Sequence, residues 1–535
     1  MNKTVKKYIE LFKKHSDLIG YIALALFFIF LHLKMYTVID RLIDSDMSSE
    51  LVLARILASE KVLITKSWFY SSEIRILNTN LVFAPLFLIT NNWHLVRMIG
   101  MAILNIILFI TFAYLAKQLS IRHIPWIGFL ILGCVSKDYF LFVTMGSFYV
   151  PHFAISFISI GLIIGFFKDE RKNRKILKLI ILFALAFAAG LEGMRLVSIT
   201  YLPLVLTAML SCFISELDEL KEGRFRLKER TVMLTAVCAL GFVFSYAGAY
   251  VNSNILPALG YSYKMDGTDL YYSGFDFESL GQVIDGWIDV LGYQSDNMPV
   301  FMPTQLILKP LFALFFIILC WAVIDILKYK EKYDFYERFM NLYFLIAALV
   351  ISALFVFTTT AYVNRYLLPV SVFSVFTVGI FFSHYRIEWQ KWGMLSLIVV
   401  FIVVNTRFQI HYQRDNNCYT DDSLFAAEQT ILANDCFSGY TIDHWNGHNL
   451  FTELTDGKIE TWRLNQNGLK SISTWLQAKD HQTKKPSGKV FLLMLQEEKE
   501  LVHFNEDVSS YIRYEDNERI LYIFDNYEQL KGFME

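Results

Sequence analysis

Stretches of about 20 apolar residues, each bounded by charges, recur along most of this chain, and that length is what a helix needs to cross a hydrocarbon layer about 30 Å thick. The clear ones lie near residues 18–36, 95–116, 124–143, 148–167, 231–252, 306–327, 340–358, 366–384 and 391–407. The segment 176–213 splits near Gly190 and Arg195 into two short helices, which brings the expectation to about 11 spans. Composition agrees: of 535 residues, 55% are hydrophobic and 19% charged, too little polar surface to coat several water-soluble domains. Lys and Arg number 49 against 50 Asp and Glu, so no basic excess points to nucleic acid. Cys 6 in a chain this long excludes a disulfide-dense secreted scaffold.

The first run ends in Leu33-Lys-Met-Tyr36 rather than in small residues, so it reads as a span and not as a removable signal. Basic residues gather at 168–178, 221–230 and 328–338, whereas 253–305 contains only Lys264. The positive-inside rule then puts the N-terminus in the cytoplasm and, with an odd number of spans, the C-terminus outside. Lys- and Asn-rich usage without eukaryotic retention signals fits a bacterial plasma membrane. Three pieces fall outside it: 37–92, 253–305 and everything from 408 on. The last replaces long apolar runs by short strand-like segments, Val490–Leu495 and Ile520–Phe524. The fold class expected is therefore an α-helical polytopic membrane protein, with a transmembrane domain over 1–407 and a small extracytoplasmic α/β domain over 408–535. No internal repeat is visible, which weakens an inverted-repeat transporter.

Directly after the first span comes Asp40-Arg-Leu-Ile-Asp44-Ser-Asp46-Met-Ser-Ser-Glu50, followed by the helical pattern Leu51–Leu57. Ser45 or Asp46 can cap that helix, and its dipole keeps nearby carboxylates ionised. Asp46 and Glu50, four apart, share one helix face. These acids can merely cap a helix, or they can supply a general base or a metal site. The loop continues through Trp68, Tyr70, Arg75 and a short apolar stretch to Trp93, the pattern of a segment lying in the membrane interface.

A long first external loop that opens on acids, with interfacial helices and then a bundle of spans, resembles the GT-C glycosyltransferases that use polyprenyl-phosphate sugars. Asp44-Ser-Asp46 followed by Glu50 is similar to the acidic motif of that class, Asp-Glu in protein mannosyltransferases and lipid A aminoarabinose transferases, and Asp-x-Asp in oligosaccharyltransferases. Ser45 stands where the former have Glu, which leaves open whether Asp44 or Asp46 is the base. The resemblance covers roughly residues 18–407. It implies a catalytic aspartate that deprotonates an acceptor hydroxyl, a polyprenyl-phosphate sugar as donor, and a cell-envelope glycan or lipid as acceptor. A flippase and a donor synthase are the implied partners besides membrane lipids. No cofactor is required by the motif, although two acids around Ser45 leave a divalent metal open.

A phosphate leaving group calls for fixed cations. Arg365 and Tyr366, just before Pro369 at the junction of two spans, resemble the Arg-Tyr segments of GT-C enzymes; the plain alternative is a snorkelling arginine. Glu192 and Arg195, three apart between short apolar runs, form either a structural pair or a substrate site. Arg75 and Glu50 complete the expected substrate-binding set. Lys137-Asp138 reads as a structural charge pair, and Tyr149, Pro151 and His152 as lining the same external face. The aromatics and acids of 253–305, from Tyr261 through Asp269 to Tyr293, either anchor the loop at the membrane surface or cover an acceptor. In the tail, Asp443-His444-Trp445-Asn446-Gly447-His448 contains metal-type donors, but Asn446-Gly447 signals a turn, which disfavours a metal and leaves plain domain structure or, alternatively, Asp443 and Trp445 facing a sugar chain. Cys418 and Cys436 could pair on the oxidising side.

The reading is thus a GT-C-like glycosyltransferase acting on the outer membrane face without a nucleotide cradle. A glycan polymerase or ligase is the nearest alternative. A transporter or flippase would instead predict charges at helix midplanes, and a scaffold would tolerate loss of Asp44 and Asp46.

Overall fold

The computed structural model describes residues 3–220, 229–263, 271–293, 303–416, 420–445, 447–465 and 468–534. The chain is a multi-pass membrane protein that divides into two units. One comprises Met1–Lys34, Leu104–Val251 and Thr268–His411, and the other Met35–Ile103, Asn252–Gly267 and Tyr412–Glu535.

Among the described residues, 9 helices are long and apolar enough to cross a membrane, and 10 if Ile124–Leu132 and Lys137–Met145, bent by 91°, form one broken span. The expected break between Gly190 and Arg195 is real: the helix Lys172–Gly190 stops there, Gly193 turns the chain at φ 82, and Met194–Ile214 follows as a span. Lys172–Gly190 itself is too basic to count, because Lys172, Arg174, Lys175 and Lys178 occupy its first half.

That helix packs on Glu229–Tyr250 at backbone contact distance. A Cβ on Gly190 would lie 1.8 Å from the Ser245 carbonyl oxygen, and one on Gly248 would lie 2.0 Å from that of Phe187. Small residues allow such approach where lipid supplies no hydrophobic drive between helices. Gly248→Val is therefore expected to destabilise the helical unit by about 1–3 kcal/mol or more, read as a lower thermal midpoint in nanodiscs. Gly281→Ala, with open space around the new methyl, is expected to be neutral or slightly stabilising in the same assay.

The second unit contains the strands β1 Trp68–Tyr70, β2 Ser262–Tyr263, β3 Ser438–Thr441, β4 Glu460–Asn465, β5 Gly468–Ile472, β6 Gln477–Ala478, β7 Val490–Leu495, β8 Ile512–Glu515 and β9 Arg519–Phe524. A small sheet of order β2-β1-β6 joins the first loop, the start of the second loop and the tail. The larger sheet has the order β5-β4-β3-β7-β9-β8. Its centre, β4-β3-β7, is parallel, and β7 pairs antiparallel with β9 from Val490↔Phe524 to Leu495↔Arg519. Both strand-like segments read from the sequence are thus strands, held over a core that includes Tyr440, Trp462, Leu492 and Tyr522.

The tail helix Asp422–Ala433 is tied to the first loop by an Arg41–Asp422 ion pair of 2.9 Å. Glu428 on this helix is 5% exposed, and burial first, then the nearby Asp40, push its carboxyl up to about 7. A folded-state pKa above the unfolded one means the folded chain holds a proton that the unfolded chain releases. This contribution is complete below about pH 4.5 and is lost as pH rises through 7. Glu428→Gln is expected to flatten thermal stability against pH over that window, with the gain over wild type greatest above pH 7.

Candidate active site

The acids after the first span sit at the start of the helix Ser45–Glu60. Its cap is Asp44, not Ser45 or Asp46: the Asp44 backbone is extended, and its Oδ1 accepts from the Met47 amide at 2.8 Å. A carboxylate just ahead of the first turn reaches that orphan amide, while Ser45 is already helical. Asp44 is buried, whereas the Asp46 side chain keeps 25% of its surface open and places Oδ1 3.1 Å from Nε2 of His444. An ionised carboxylate only accepts, so Nε2 carries the proton. The next turn is held from the tail as well, with Asn449 Nδ2 donating to Ser49 Oγ at 2.7 Å and Ser49 Oγ donating to the Ser45 carbonyl at 2.6 Å.

Glu50, buried at 6% exposure, accepts from Arg75 Nη1 at 2.9 Å, from Thr79 Oγ1 at 2.6 Å and from Asn80 Nδ2 at 3.5 Å. The two substrate-binding candidates of the loop are thus partners of each other, and together they hold the 75–80 segment onto the acid-bearing helix. Below them Arg97, 1% exposed, makes a bidentate pair with Glu453 through Nε at 2.8 Å and Nη2 at 2.6 Å, and Nη2 also donates to the Met47 carbonyl at 2.8 Å.

His444 stands where the large sheet changes direction. From β3 the chain runs through the helix His448–Leu454 to β4 on one side, and later returns to β7 on the other. The carboxyl end of such a strand is where open parallel sheets form their ligand crevice. There Trp475 lies 4.5 Å from the His444 ring, Arg463 lies 5.5 Å over Trp475, and Trp445 is 42% exposed. Glu498 is pushed up to about 7 by burial, with Asp443 and Glu497 adding to the shift. His448 is fully buried, bonded through Nε2 to Gln477 Oε1 at 3.0 Å, and burial lowers its pKa well below the ordinary range. Among the described residues no three His, Cys, Asp or Glu side chains are grouped to hold a metal ion. Asn446, the Lys264–Asp269 stretch and Cys418 lie outside the described residues; Cys436 is buried, with Sγ 3.3 Å from the Lys489 carbonyl.

The helical unit gathers the other candidates. The Tyr366 ring carries two guanidinium groups, Arg195 at 5.5 Å and Arg365 at 5.8 Å, and Arg195 also lies 5.5 Å over Tyr149. Arg365 is further seated on Phe142 at 4.9 Å. Glu192 is 2% exposed. Asp138, beside Lys137, also accepts from Asn364 Nδ2 at 2.8 Å, next to Arg365.

Sequence reasoning missed His444, Asn449, Arg97 and Glu453 as parts of this construction. Arg97 gave one signal, a charge four residues into the helix Trp93–Gln118 among apolar neighbours.

No protein-family model matches the chain, and no curated protein matches its sequence. Solved structures do match. ArnT from Cupriavidus metallidurans in the apo state superposes with a TM-score of 0.52 at 11% identity, covering 97% of this chain and 98% of that one. ArnT from the same organism bound to undecaprenyl phosphate gives 0.54 at 10% identity, covering 93% and 97%. At such identity the likeness is one of fold, and the chain has the fold of ArnT.

Proposed function

We propose that the protein is a membrane glycosyltransferase that moves a sugar from a polyprenyl-phosphate donor to a hydroxyl of an envelope glycan or lipid. The observation that carries this reading is the ArnT fold over 97% of the chain, combined with an open, hydrogen-bonded aspartate on the first loop. The undecaprenyl phosphate in one of those ArnT structures supports the donor class.

In this reading Asp46 is the base. Its accessible carboxylate is held by the His444 N–H, which leaves an oxygen for the acceptor hydroxyl, whereas the Asp44 carboxylate is engaged in capping. As the proton passes to Asp46, the acceptor oxygen attacks the anomeric carbon. The bond from that carbon to the phosphate oxygen breaks, and polyprenyl phosphate departs with the electron pair, with inversion. The exposed Trp445 and the half-buried Trp475 offer ring faces to a sugar. Within the helical unit, Arg195 and Arg365 on one ring suit a phosphate, whose charge two guanidinium groups can share. Glu50 and Arg75 position the loop, and Glu192 lies beside the Arg195 turn in sequence.

We assign the N-terminus to the cytoplasm and the C-terminus to the outside, which requires Lys172–Gly190 to cross as well as the broken pair. The test is purified protein in nanodiscs with a panel of radiolabelled polyprenyl-phosphate sugars, with and without chelator. Release of polyprenyl phosphate that depends on Asp46 or Asp44 supports the reading, and chelator sensitivity decides the metal. No donor consumed by folded protein would sink it.

A further inference from the structure

The amino ends of β3 and β4, the ends away from His444, open with the second half of the helix Ser45–Glu60 on a cleft of about 950 Å³. This is within the size range of small-molecule sites. Its lining is mostly polar, with the Phe437 ring exposed at the rim and Trp68 and Trp93 buried in the wall. Glu60 and Asp480 present exposed carboxylates, Asp456 holds the Trp93 amide at 2.8 Å, and the Phe437 ring at the rim is 48% exposed. The wall residues Trp68 and Thr461 keep a buried Nε1 and Oγ1 that have no partner among the described residues.

The lining chemistry narrows the occupant. Arg55 and Lys458 are outnumbered in the lining by the carboxylates of Glu60, Asp456, Glu460 and Asp480, so the cleft carries no cationic excess to capture an anion. Among the described residues its acids do not gather in a group of three that could hold a metal ion. Interleaved donors, acceptors and ring surfaces fit a neutral polyhydroxyl ligand, whose hydroxyls bond to carboxylates while its C–H faces lie on rings. The helix also measures the separation: at 1.5 Å per residue, Arg55 and Glu60 lie about 14 and 21 Å along the axis from Asp46. Val52, the wall residue of this helix nearest to Asp46, lies about 9 Å from it along the axis, a span that a glycan of several sugars is long enough to cover.

We propose that this cleft is an oligosaccharide-binding site that holds a remote part of a glycan acceptor. The acceptor role rests on the transferase reading; the binding does not. Saturation-transfer NMR on full-length protein in nanodiscs tests it, using three trisaccharides as probes: chitotriose, mannotriose and galactotriose. Transfer to at least one of them is expected from wild type and from Asp46→Asn alike. Thr452→Trp, which fills the cleft, is expected to abolish it, and Asp480→Asn to weaken affinity about tenfold. Because Asp480 is exposed, its variant reports on the cleft even if Thr452→Trp misfolds. Absence of transfer to all three probes, or unchanged transfer in both variants, overturns the proposal. Failure of the transferase assay with binding intact would overturn only the acceptor role.

Discussion

Replacing Asp46 by Asn is expected to lower kcat for sugar transfer by about 10²–10⁴, the usual worth of a positioned general base. The substitution keeps the shape and the acceptor oxygen that faces His444, so folding and the thermal midpoint should change little. Donor binding should also survive, because the proposed phosphate-binding arginines belong to a different element of the chain. The measurement is single-turnover release of polyprenyl phosphate, with donor affinity determined separately. Asp44→Asn provides the contrast. It keeps an oxygen for the Met47 amide, since Asn is as good a cap as Asp, and under the present assignment it should cost much less than Asp46→Asn. A reversal of that order would transfer the role to Asp44 and leave Asp46 as a holder of His444. His444→Ala should fall between wild type and Asp46→Asn, because the carboxylate loses its fixed donor.

The second large effect concerns stability. Arg97→Met removes one half of a pair in which both side chains are almost entirely buried, at 1% and 4% exposure. Glu453 would be left charged and without its bidentate partner, which typically costs about 3–5 kcal/mol. The Met47 carbonyl would lose a donor as well. Removing both charges, as Arg97→Met with Glu453→Leu, should recover much of the loss, since a buried pair replaced by apolar groups is often close to neutral. Thermal unfolding of the four forms in nanodiscs gives the cycle. Single and double variants that all match wild type would show that the pair is not holding the loop to the tail.

The spans were readable because a lipid environment demands long apolar runs and leaves little else to satisfy a backbone. Val490–Leu495 and Ile520–Phe524 were readable for a related reason, as continuous apolar runs of strand length. β3 was not: Ser438-Gly-Tyr-Thr441 is polar or small at most positions, and its burial comes from neighbours on both sides. The acids of the first loop were visible as a cluster, but the cap fell one residue earlier than expected because a turn of extended chain precedes the helix. Glu50 and Arg75 were read as separate binders, whereas they satisfy each other. The arginines around Tyr366 were each visible as a charge beside an apolar run, yet nothing local indicates that positions 195 and 365 meet on one ring. His444 illustrates the limit most sharply, since its role depends on a residue 398 positions earlier.

That separation governs how the protein is born. The first loop leaves the ribosome early and waits, through the insertion of most spans, for His444, Asn449 and Glu453 to be translated. Until then Arg97 has no carboxylate, Ser49 lacks its amide donor and Asp46 lacks its imidazole. A chain halted before the tail would be inserted in the membrane with this loop unpaired, which offers quality-control proteases a mark of chains that still lack the tail.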